Sequence, residues 1–233
     1  MQTPAARLVG IIPINRLDRA KSRLSAALSP DERAALVLAL AERTQRALRD
    51  AGKLDQIVVV SPDDGALAWA ESQGAIALRQ PDLGLNAGLA LARDWATEQG
   101  AGGMLVALGD LPLLTADEVR RFVAMTGLYE RIIALAPDRA GAGTNLMLAR
   151  PAALAPLAYG RASFARHRRI ARRAGMPVVE FRAPGAAFDV DTPADLQELI
   201  ERGLWQPARS AASSDADPAP HSATQPATQR ENS

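Results

Sequence analysis

The feature that most limits the fold of this 233-residue chain is the alternation of short apolar runs with helical stretches. Apolar runs at 8–13, 56–60, 76–78 and 104–108 have the length of buried strands. Helical stretches at 30–52, 61–74 and 86–99 separate these runs. Because parallel neighbours in a sheet need crossover connections, the first half predicts a parallel sheet with helices on both faces.

Helix starts are marked by side chains that can cap them. Ser29 precedes Pro30 and Glu32, which together form the signature of a capping box. The same signature opens a helix at 115–118, and the segment 192–195, with Pro193 at its second position, starts a last helix that ends near Gly203. Helix boundaries are therefore strongly predicted.

After residue 130 the pattern changes. Strands at 132–136 and 145–149 are joined by the glycine-rich segment 137–143, which predicts an antiparallel pair. A helix over 161–173 and an extended segment at 178–181 follow. The fold class is therefore a single α/β domain over 1–205, with a mostly parallel mixed sheet flanked by helices. From residue 208 the chain has no aliphatic side chain larger than alanine, so we predict a disordered tail at 206–233.

Composition excludes several classes of function. The formal net charge is +1, which offers no general attraction to nucleic acid or to a membrane surface. The chain has no cysteine, so disulfides, thiolate metal sites and a cysteine nucleophile are excluded. No apolar stretch has spanning length and no signal-type segment opens the chain. We therefore expect a cytoplasmic protein without nucleic-acid or membrane partners.

Asp110 is the strongest candidate for a catalytic residue. It follows the apolar run 104–108 and Gly109, and open parallel sheets bind ligands beyond the carboxyl ends of their strands. A carboxylate there suits Mg²⁺, which takes one or two protein carboxylates and completes its shell with water and phosphate oxygens. The alternative is a carboxylate that caps a turn or helix.

Two cations lie in the loop after the first strand. Lys21 and Arg23 stand where α/β folds commonly hold phosphates, and both suit a triphosphate whose leaving group gathers charge. The chain has no Walker loop, so an ordinary solvated basic loop is the alternative.

Asp189 and Asp191 are two residues apart, which puts both on one face of an extended segment. A shared Mg²⁺ would relieve the repulsion between two such carboxylates. Capping of the helix that starts at Thr192 explains the pair equally well.

Small and polar residues form a further set of candidates. Thr144, Gly160 and Ser163 lie in flexible loops that could hold a small phosphorylated acid, or could simply form turns. Asn86 can cap a helix or read a base edge. His167 could orient its loop, touch substrate or only pack, and the arginines at 168, 169, 172 and 173 are typical of a solvated helix face.

Together these motifs resemble the guanylyltransferase family of coenzyme F420 biosynthesis. The resemblance covers roughly 7–203 and rests on the segments 13–15, 20–24, 84–86, 109–112, 143–145, 163–167 and 189–193. It implies a nucleotidyltransferase fold of glycosyltransferase-A type and transfer of GMP from GTP to a three-carbon phosphorylated acid, with release of pyrophosphate and with Mg²⁺ as cofactor.

The resemblance also implies roles for individual residues. Asp110, Asp189 and Asp191 would hold metal, and Asp110 and Lys21 would be catalytic. Lys21, Arg23 and Asn86 would bind the nucleotide. Thr144, Gly160 and Ser163 would bind phosphoenolpyruvate.

The acceptor is predicted less sharply than the reaction. Arg161-Ala162 replaces the Pro-Gly common in relatives, so 2-phospho-L-lactate and 3-phosphoglycerate stay open beside phosphoenolpyruvate. The alanine- and arginine-rich composition is typical of a bacterial relative, which favours phosphoenolpyruvate. Other hypotheses are a molybdopterin or sugar-phosphate nucleotidyltransferase and a GTP-binding module without turnover. A homodimer is left open.

Overall fold

The computed structural model describes residues 7–207, and the predicted tail therefore lies almost wholly outside the described part. Seven strands form one sheet: β1 (Leu8–Pro13), β2 (Gln56–Ser61), β3 (Ile76–Arg79), β4 (Gly103–Ala107), β5 (Ile132–Pro137), β6 (Thr144–Arg150) and β7 (Val178–Glu180). Seven α-helices accompany them: α1 (Pro30–Asp50), α2 (Asp64–Ser72), α3 (Leu85–Glu98), α4 (Ala116–Ala124), α5 (Ser163–Arg173), α6 (Pro184–Ala187) and α7 (Pro193–Glu201).

The strand order is β3-β2-β1-β4-β6-β5-β7, and β6 alone runs antiparallel to its neighbours in this sheet of the described chain. The prediction of a mostly parallel mixed sheet with an antiparallel β5–β6 pair is confirmed. Because β6 is reversed, its first residues lie at the same edge as the carboxyl ends of β1 and β4. This edge carries the candidate functional residues.

Side chains alternate between two buried layers on the faces of the sheet. Leu8 and Ile12 of β1 join α1, α2 and α4 in one layer, whereas Val9 and Ile11 join α3 and α5 in the other. This is the period-two pattern of a strand buried on both faces. Helices therefore cover both sides, as the sequence predicts.

A third apolar cluster fixes the segment before α7. Phe188 and Val190 are 2% and 0% exposed and pack with Leu36 and Leu40 of α1 and Leu199 of α7. Because neighbouring side chains of an extended segment point in opposite directions, Asp189 and Asp191 face away from this cluster. The prediction that the two carboxylates share a face is consistent with this packing.

Candidate active site

A cavity of about 430 Å³ opens at the carboxyl ends of β1 and β4. The loop after β1 contributes residues 13–15 and 20–23, and the end of β4 contributes 108–110. Leu85 at the start of α3, Val37 of α1 and Asp191 complete the lining. The sheet topology thus brings segments that are far apart in sequence to one cleft.

Lys21 lies between two of the predicted carboxylates. Its Nζ is 2.6 Å from Oδ2 of Asp110 and 3.0 Å from Oδ1 of Asp191, and its side chain is 10% exposed. Burial acts to lower the pKa of Lys21, but the charges of Asp110 and Asp191 outweigh it and hold that pKa above its ordinary value. Lys21 is therefore a cation at the pH of the cell.

The backbone of Lys21 is also unusual. Its φ is 50°, and only Lys21 and Ala162 among the non-glycine residues of 7–207 have a positive φ. A left-handed conformation is unfavourable for a residue with a Cβ, so it persists only where surrounding contacts determine it. For Lys21 these contacts include the two ion pairs.

One carboxylate oxygen of Asp110 is paired and the other is not. Oδ2 binds Lys21, whereas Oδ1 is buried without a hydrogen-bond partner in the described chain. The next residue, Leu111, is fully buried and donates its backbone N–H to Oγ1 of Thr44 at 3.3 Å. Asp110 does not cap α4, because the capping box of that helix uses Thr115 and Glu118, and the hydrogen-bond partner of the Asp110 carboxylate is the Lys21 ammonium.

Asp189 and Asp191 are likewise not helix caps. Thr192 caps α7 with the help of Asp195, which leaves both carboxylates for other partners. Oδ1 of Asp189 accepts from Nδ2 of Asn145 at 3.3 Å. Burial first, and then the charge of Asp110, raise the pKa of Asp189 to about 6, against the opposing effect of the Asn145 hydrogen bond.

Arg23 stands at the rim of the cavity. Its side chain is 74% exposed, with Nη1 3.7 Å from Oδ2 of Asp191. Such an exposed pair contributes little to stability. Arg23 is thus free to turn towards an anion in the cavity.

The donor set fits a hard cation only in part. No group of three or more His, Cys, Asp or Glu side chains stands ready to hold a metal within residues 7–207. Oδ1 of Asp110 nevertheless has no hydrogen-bond partner in the described chain, and burial and the charge of Asp110 raise the pKa of Asp189, so an added cation would stabilise both carboxylates. One or two carboxylates are what Mg²⁺ takes from a protein. Asp110 and Asp189 therefore supply the one or two protein oxygens that such an ion takes, and water and phosphate oxygens would complete its shell.

Thr144, Gly160 and Ser163 do not line the cavity. Thr144 and Ser163 are 1% and 2% exposed, and their hydroxyl oxygens are 3.4 Å apart. Gly160 is exposed, with a φ of 120° that favours glycine. The structure thus brings the two hydroxyls together but apart from the lining residues, and their predicted role in binding the acceptor stays a prediction.

The side chain of Asn86 hydrogen-bonds to a loop rather than to the backbone of its own helix. Gly84 is the N-cap of α3, so the capping interpretation of Asn86 is wrong. Its Nδ2 donates to the Tyr159 carbonyl at 3.0 Å, and the Tyr159 N–H donates to its Oδ1 at 2.8 Å. Asn86 follows Leu85 of the cavity and so connects this wall with the segment before Gly160. Its role in binding the nucleotide stays a prediction.

His167 is fully buried and orients its loop. Nε2 accepts the backbone N–H of Ala158 at 3.0 Å, and Nδ1 is 3.0 Å from Oγ1 of Thr144. The arginines of α5 behave as a solvated face: Arg169 and its neighbours at 172 and 173 are exposed, while Arg168 pairs with Glu180 at 3.1 Å.

The sequence interpretation assigned no role to Asn145 and Tyr159. Asn145 holds both Asp189 and the Ala186 carbonyl, and Tyr159 offers its backbone to Asn86. The place of Asn145 in the motif 143–145 was the available signal. A backbone contact such as that of Tyr159 leaves no mark in the sequence.

None of the described helices is long and apolar enough to cross a membrane.

The chain matches the family model described as "Guanylyl transferase CofC like" over residues 8–210. It is 51% identical over 191 residues to a phosphoenolpyruvate guanylyltransferase of Sphaerobacter thermophilus, covering 82% of this chain and 91% of that protein. A protein of the same name from Rubrobacter xylanophilus is 41% identical over 202 residues, with coverages of 86% and 98%. A 2-phospho-L-lactate guanylyltransferase of Methanothermobacter thermautotrophicus is 33% identical over 200 residues, with coverages of 85% and 86%.

Solved structures agree on the fold. A putative nucleotide-diphospho-sugar transferase from Desulfovibrio desulfuricans superposes with a TM-score of 0.67 at 18% identity, covering 85% of this chain and 87% of the other. A nucleotidyl transferase from Methanothermobacter thermautotrophicus gives 0.62 at 16% identity, with coverages of 85% and 98%. These neighbours confirm the nucleotidyltransferase fold of glycosyltransferase-A type. With a family match that spans nearly all described residues, the chain belongs to the CofC-like guanylyl transferases and is a nucleotidyltransferase.

Proposed function

We propose that the protein transfers GMP from GTP to phosphoenolpyruvate and releases pyrophosphate, with Mg²⁺ as cofactor. The product is enolpyruvyl-diphospho-guanosine, an intermediate of coenzyme F420 biosynthesis. The observation that carries the proposal is the convergence of Lys21, Asp110 and Asp191 on one cavity at the edge of a nucleotidyltransferase sheet. The name of the relative that is 51% identical supports phosphoenolpyruvate as the acceptor.

The reaction needs little from the protein beyond binding and charge. A phosphate oxygen of the acceptor attacks the α-phosphorus of GTP, the new P–O bond forms, and the bond to the β-phosphate oxygen breaks. The acceptor phosphate carries most of two negative charges near neutral pH, so it needs no general base. Lys21 and Arg23 would neutralise charge that gathers on the leaving pyrophosphate.

Asp110, Asp189 and Asp191 would hold the metal. A bound Mg²⁺ would supply positive charge to the triphosphate and favour the in-line arrangement of attacking and leaving oxygens. The ammonium of Lys21 now lies between Asp110 and Asp191, from where it can turn to a phosphate. Asn145 would keep Asp189 in place.

Two other phosphorylated acids remain candidates. The relative named for 2-phospho-L-lactate is 33% identical, and 3-phosphoglycerate carries the same phosphate and carboxylate groups. The left-handed Ala162 stands just before α5, in the Arg161-Ala162 pair where the resemblance implies Pro-Gly. This local difference is the reason to test all three acids.

The test is pyrophosphate release by purified protein with Mg²⁺, GTP and each acid in turn. We expect release only when GTP and phosphoenolpyruvate are both present. Release with another acid alone would move the assignment to that acid. No release with any of the three would refute the proposal, and GTP binding without turnover would favour a nucleotide-binding role.

A substitution tests the site itself. Asp110→Asn should lower turnover about 100-fold or more. The variant removes the negative charge that would hold the metal where charge develops on the phosphates in the transition state. Asp94→Asn is the control, since Asp94 is 62% exposed on α3. Full activity in Asp110→Asn, with a normal melting curve, would remove Asp110 from the machinery.

A further inference from the structure

His167 is fully buried, and both of its ring nitrogens have partners. The backbone N–H of Ala158 lies 3.0 Å from Nε2, and Oγ1 of Thr144 lies 3.0 Å from Nδ1. The ring of Tyr159 packs against the imidazole in a T-shaped arrangement, with 4.7 Å between the ring centroids. The imidazole thus connects the start of β6 with the segment that leads to Gly160.

These partners determine which nitrogen carries the proton. A backbone N–H can only donate, so Nε2 must accept the Ala158 hydrogen bond. In a neutral imidazole the proton is then on Nδ1, and Nδ1–H donates to Oγ1 of Thr144. Burial, together with the charge of Arg166, lowers the pKa of His167 to about 4, which keeps the ring neutral near pH 7.

This tautomer controls the hydroxyl of Thr144. Because His167 donates to Thr144, the Thr144 hydrogen is not used on the imidazole. Thr144 and Ser163 share one hydrogen bond, with their oxygens 3.4 Å apart. Ser163 donates to Oγ1 of Thr144, and His167 donates to the same oxygen, so the hydrogen of the Thr144 hydroxyl is left without a hydrogen bond to any residue of 7–207.

The hydroxyl pair lies at the functional edge of the sheet. Thr144 opens β6 and precedes Asn145, which binds Asp189. Ser163 is the first residue of α5, three positions after Gly160. A phosphorylated acid offers oxygens that accept hydrogen bonds, so a free O–H here matches that chemistry.

We propose that His167 is a positioning residue for the phosphorylated acceptor. It does not touch the acceptor; it holds the Thr144–Ser163 pair so that one hydroxyl donates to an anionic oxygen of the acid. The inference rests on the proposed function and deepens it.

The variants separate the two hydrogen bonds of the ring. His167→Asn keeps an N–H near the position of Nδ1 and loses the acceptor at Nε2. His167→Gln reaches towards the Ala158 N–H but removes the donor to Thr144. His167→Phe fills the space and removes both. Thr144→Ser keeps the hydroxyl and Thr144→Ala removes it.

The measurement is the KM for phosphoenolpyruvate and for GTP from pyrophosphate release. We expect His167→Phe and His167→Gln to raise the KM for phosphoenolpyruvate about tenfold, as for the loss of one hydrogen bond, with the KM for GTP within about twofold of the wild type. His167→Asn should have a KM for phosphoenolpyruvate much closer to that of the wild type than His167→Phe has. Thr144→Ser should likewise be much closer to the wild type than Thr144→Ala. In a Thr144→Ala background, His167→Phe should raise the KM for phosphoenolpyruvate little further, because the hydroxyl through which His167 acts is already absent.

Other outcomes refute the inference. Equal rises in both KM values, additive effects in the double variant, or a His167→Asn protein no better than His167→Phe would each assign His167 a packing role alone. Melting curves show which variants are folded. If His167→Phe is unfolded, His167→Asn and Thr144→Ser still provide the test. If the wild type releases no pyrophosphate with any acid, the proposed function fails first and the inference with it.

Discussion

Lys21 shows how a single residue joins distant parts of the chain. Asp110 is 89 positions away and Asp191 is 170 positions away, yet both carboxylates lie within 3.0 Å of its ammonium. The left-handed backbone costs a lysine about 1–2 kcal/mol. The two ion pairs are among the contacts that hold this backbone conformation at the candidate active site.

Lys21→Met tests the role of the ammonium, because it removes the charge that pairs with Asp110 and Asp191. We expect turnover to fall about 100-fold or more, since positive charge opposite the phosphates is lost. Stability should fall by about 3 kcal/mol, because the carboxylates lose their partner. Mn²⁺ should then raise the melting temperature more in the variant than in the wild type, as the ion replaces the missing charge.

Lys53→Met is the matched control, since Lys53 is exposed and is the other lysine of the chain. It should leave turnover, stability and the response to Mn²⁺ unchanged. If Mn²⁺ raised the melting temperature of Lys21→Met and of the wild type equally, the result would contradict the placement of a metal ion beside Asp110 and Asp191.

His167 predicts a pH dependence of stability. Its folded pKa is about 4, below the ordinary value of 6.5, so the unfolded chain takes up this proton first as pH falls. The stability present above pH 6.5 is therefore lost between 6.5 and about 4. Urea unfolding should show the wild type losing about 2 kcal/mol more than His167→Asn between about pH 7.5 and about pH 5. Parallel profiles would contradict a buried neutral ring.

The structural elements differ in how far their boundaries follow from local signals. The capping boxes of α1 and α4 are confirmed, because each cap and its partner are three residues apart, and α7 begins at the predicted place with a further capping box of Thr192 and Asp195. The helix predicted from residue 161 instead begins at Ser163, since Ala162 is left-handed. Ala142 supplies a carbonyl to the Phe164 N–H at 3.1 Å, a tertiary contact that no local pattern contains.

The short helix α6 was not predicted, yet it positions the acidic pair. Gly185 donates its N–H to Oε1 of Glu118 at 2.9 Å. A Cβ at Gly185 would overlap the Leu113 carbonyl and the Glu118 carboxylate. Close backbone packing of α6 against the start of α4 thus requires glycine here, and Asp189 follows four residues later.

Gly185→Ala should therefore destabilise the fold by about 3 kcal/mol through overpacking. It should also lower turnover, because Asp189 depends on α6 for its position. Gly127→Ala is the control: its Cβ would meet only the Ala124 carbonyl at 3.6 Å, so stability should change by less than about 1 kcal/mol. Thermal or urea unfolding measures both, and a tolerated Gly185→Ala would disprove the packing argument.

At the scale of the whole molecule, the sheet order gathers the site. β1 and β4 are neighbours, so the loops after them share a cleft, and the reversed β6 brings Asn145 to the same edge. Ligand binding at the carboxyl ends of strands is the general behaviour of open α/β sheets. Asp110 was predicted in this position from the apolar run that precedes it.

The predicted domain boundary is tested by truncation. Residues 208–233 lack side chains that could support a packed core, so their removal should leave the melting temperature within about 2 °C and turnover unchanged. A marked loss of either would show that the tail belongs to the folded unit or to the site.

The sequence by itself determined the strands, most helix boundaries and the side chains suited to the chemistry. These depend on residue periodicity and on caps a few positions apart, which are local properties. Only the tertiary structure decided that Lys21 lies between Asp110 and Asp191, that Asn86 binds Tyr159, and that Thr144 and Ser163 are buried beside His167. Such partners follow from strand order and packing, because a polar group far along the chain leaves no local pattern to identify it.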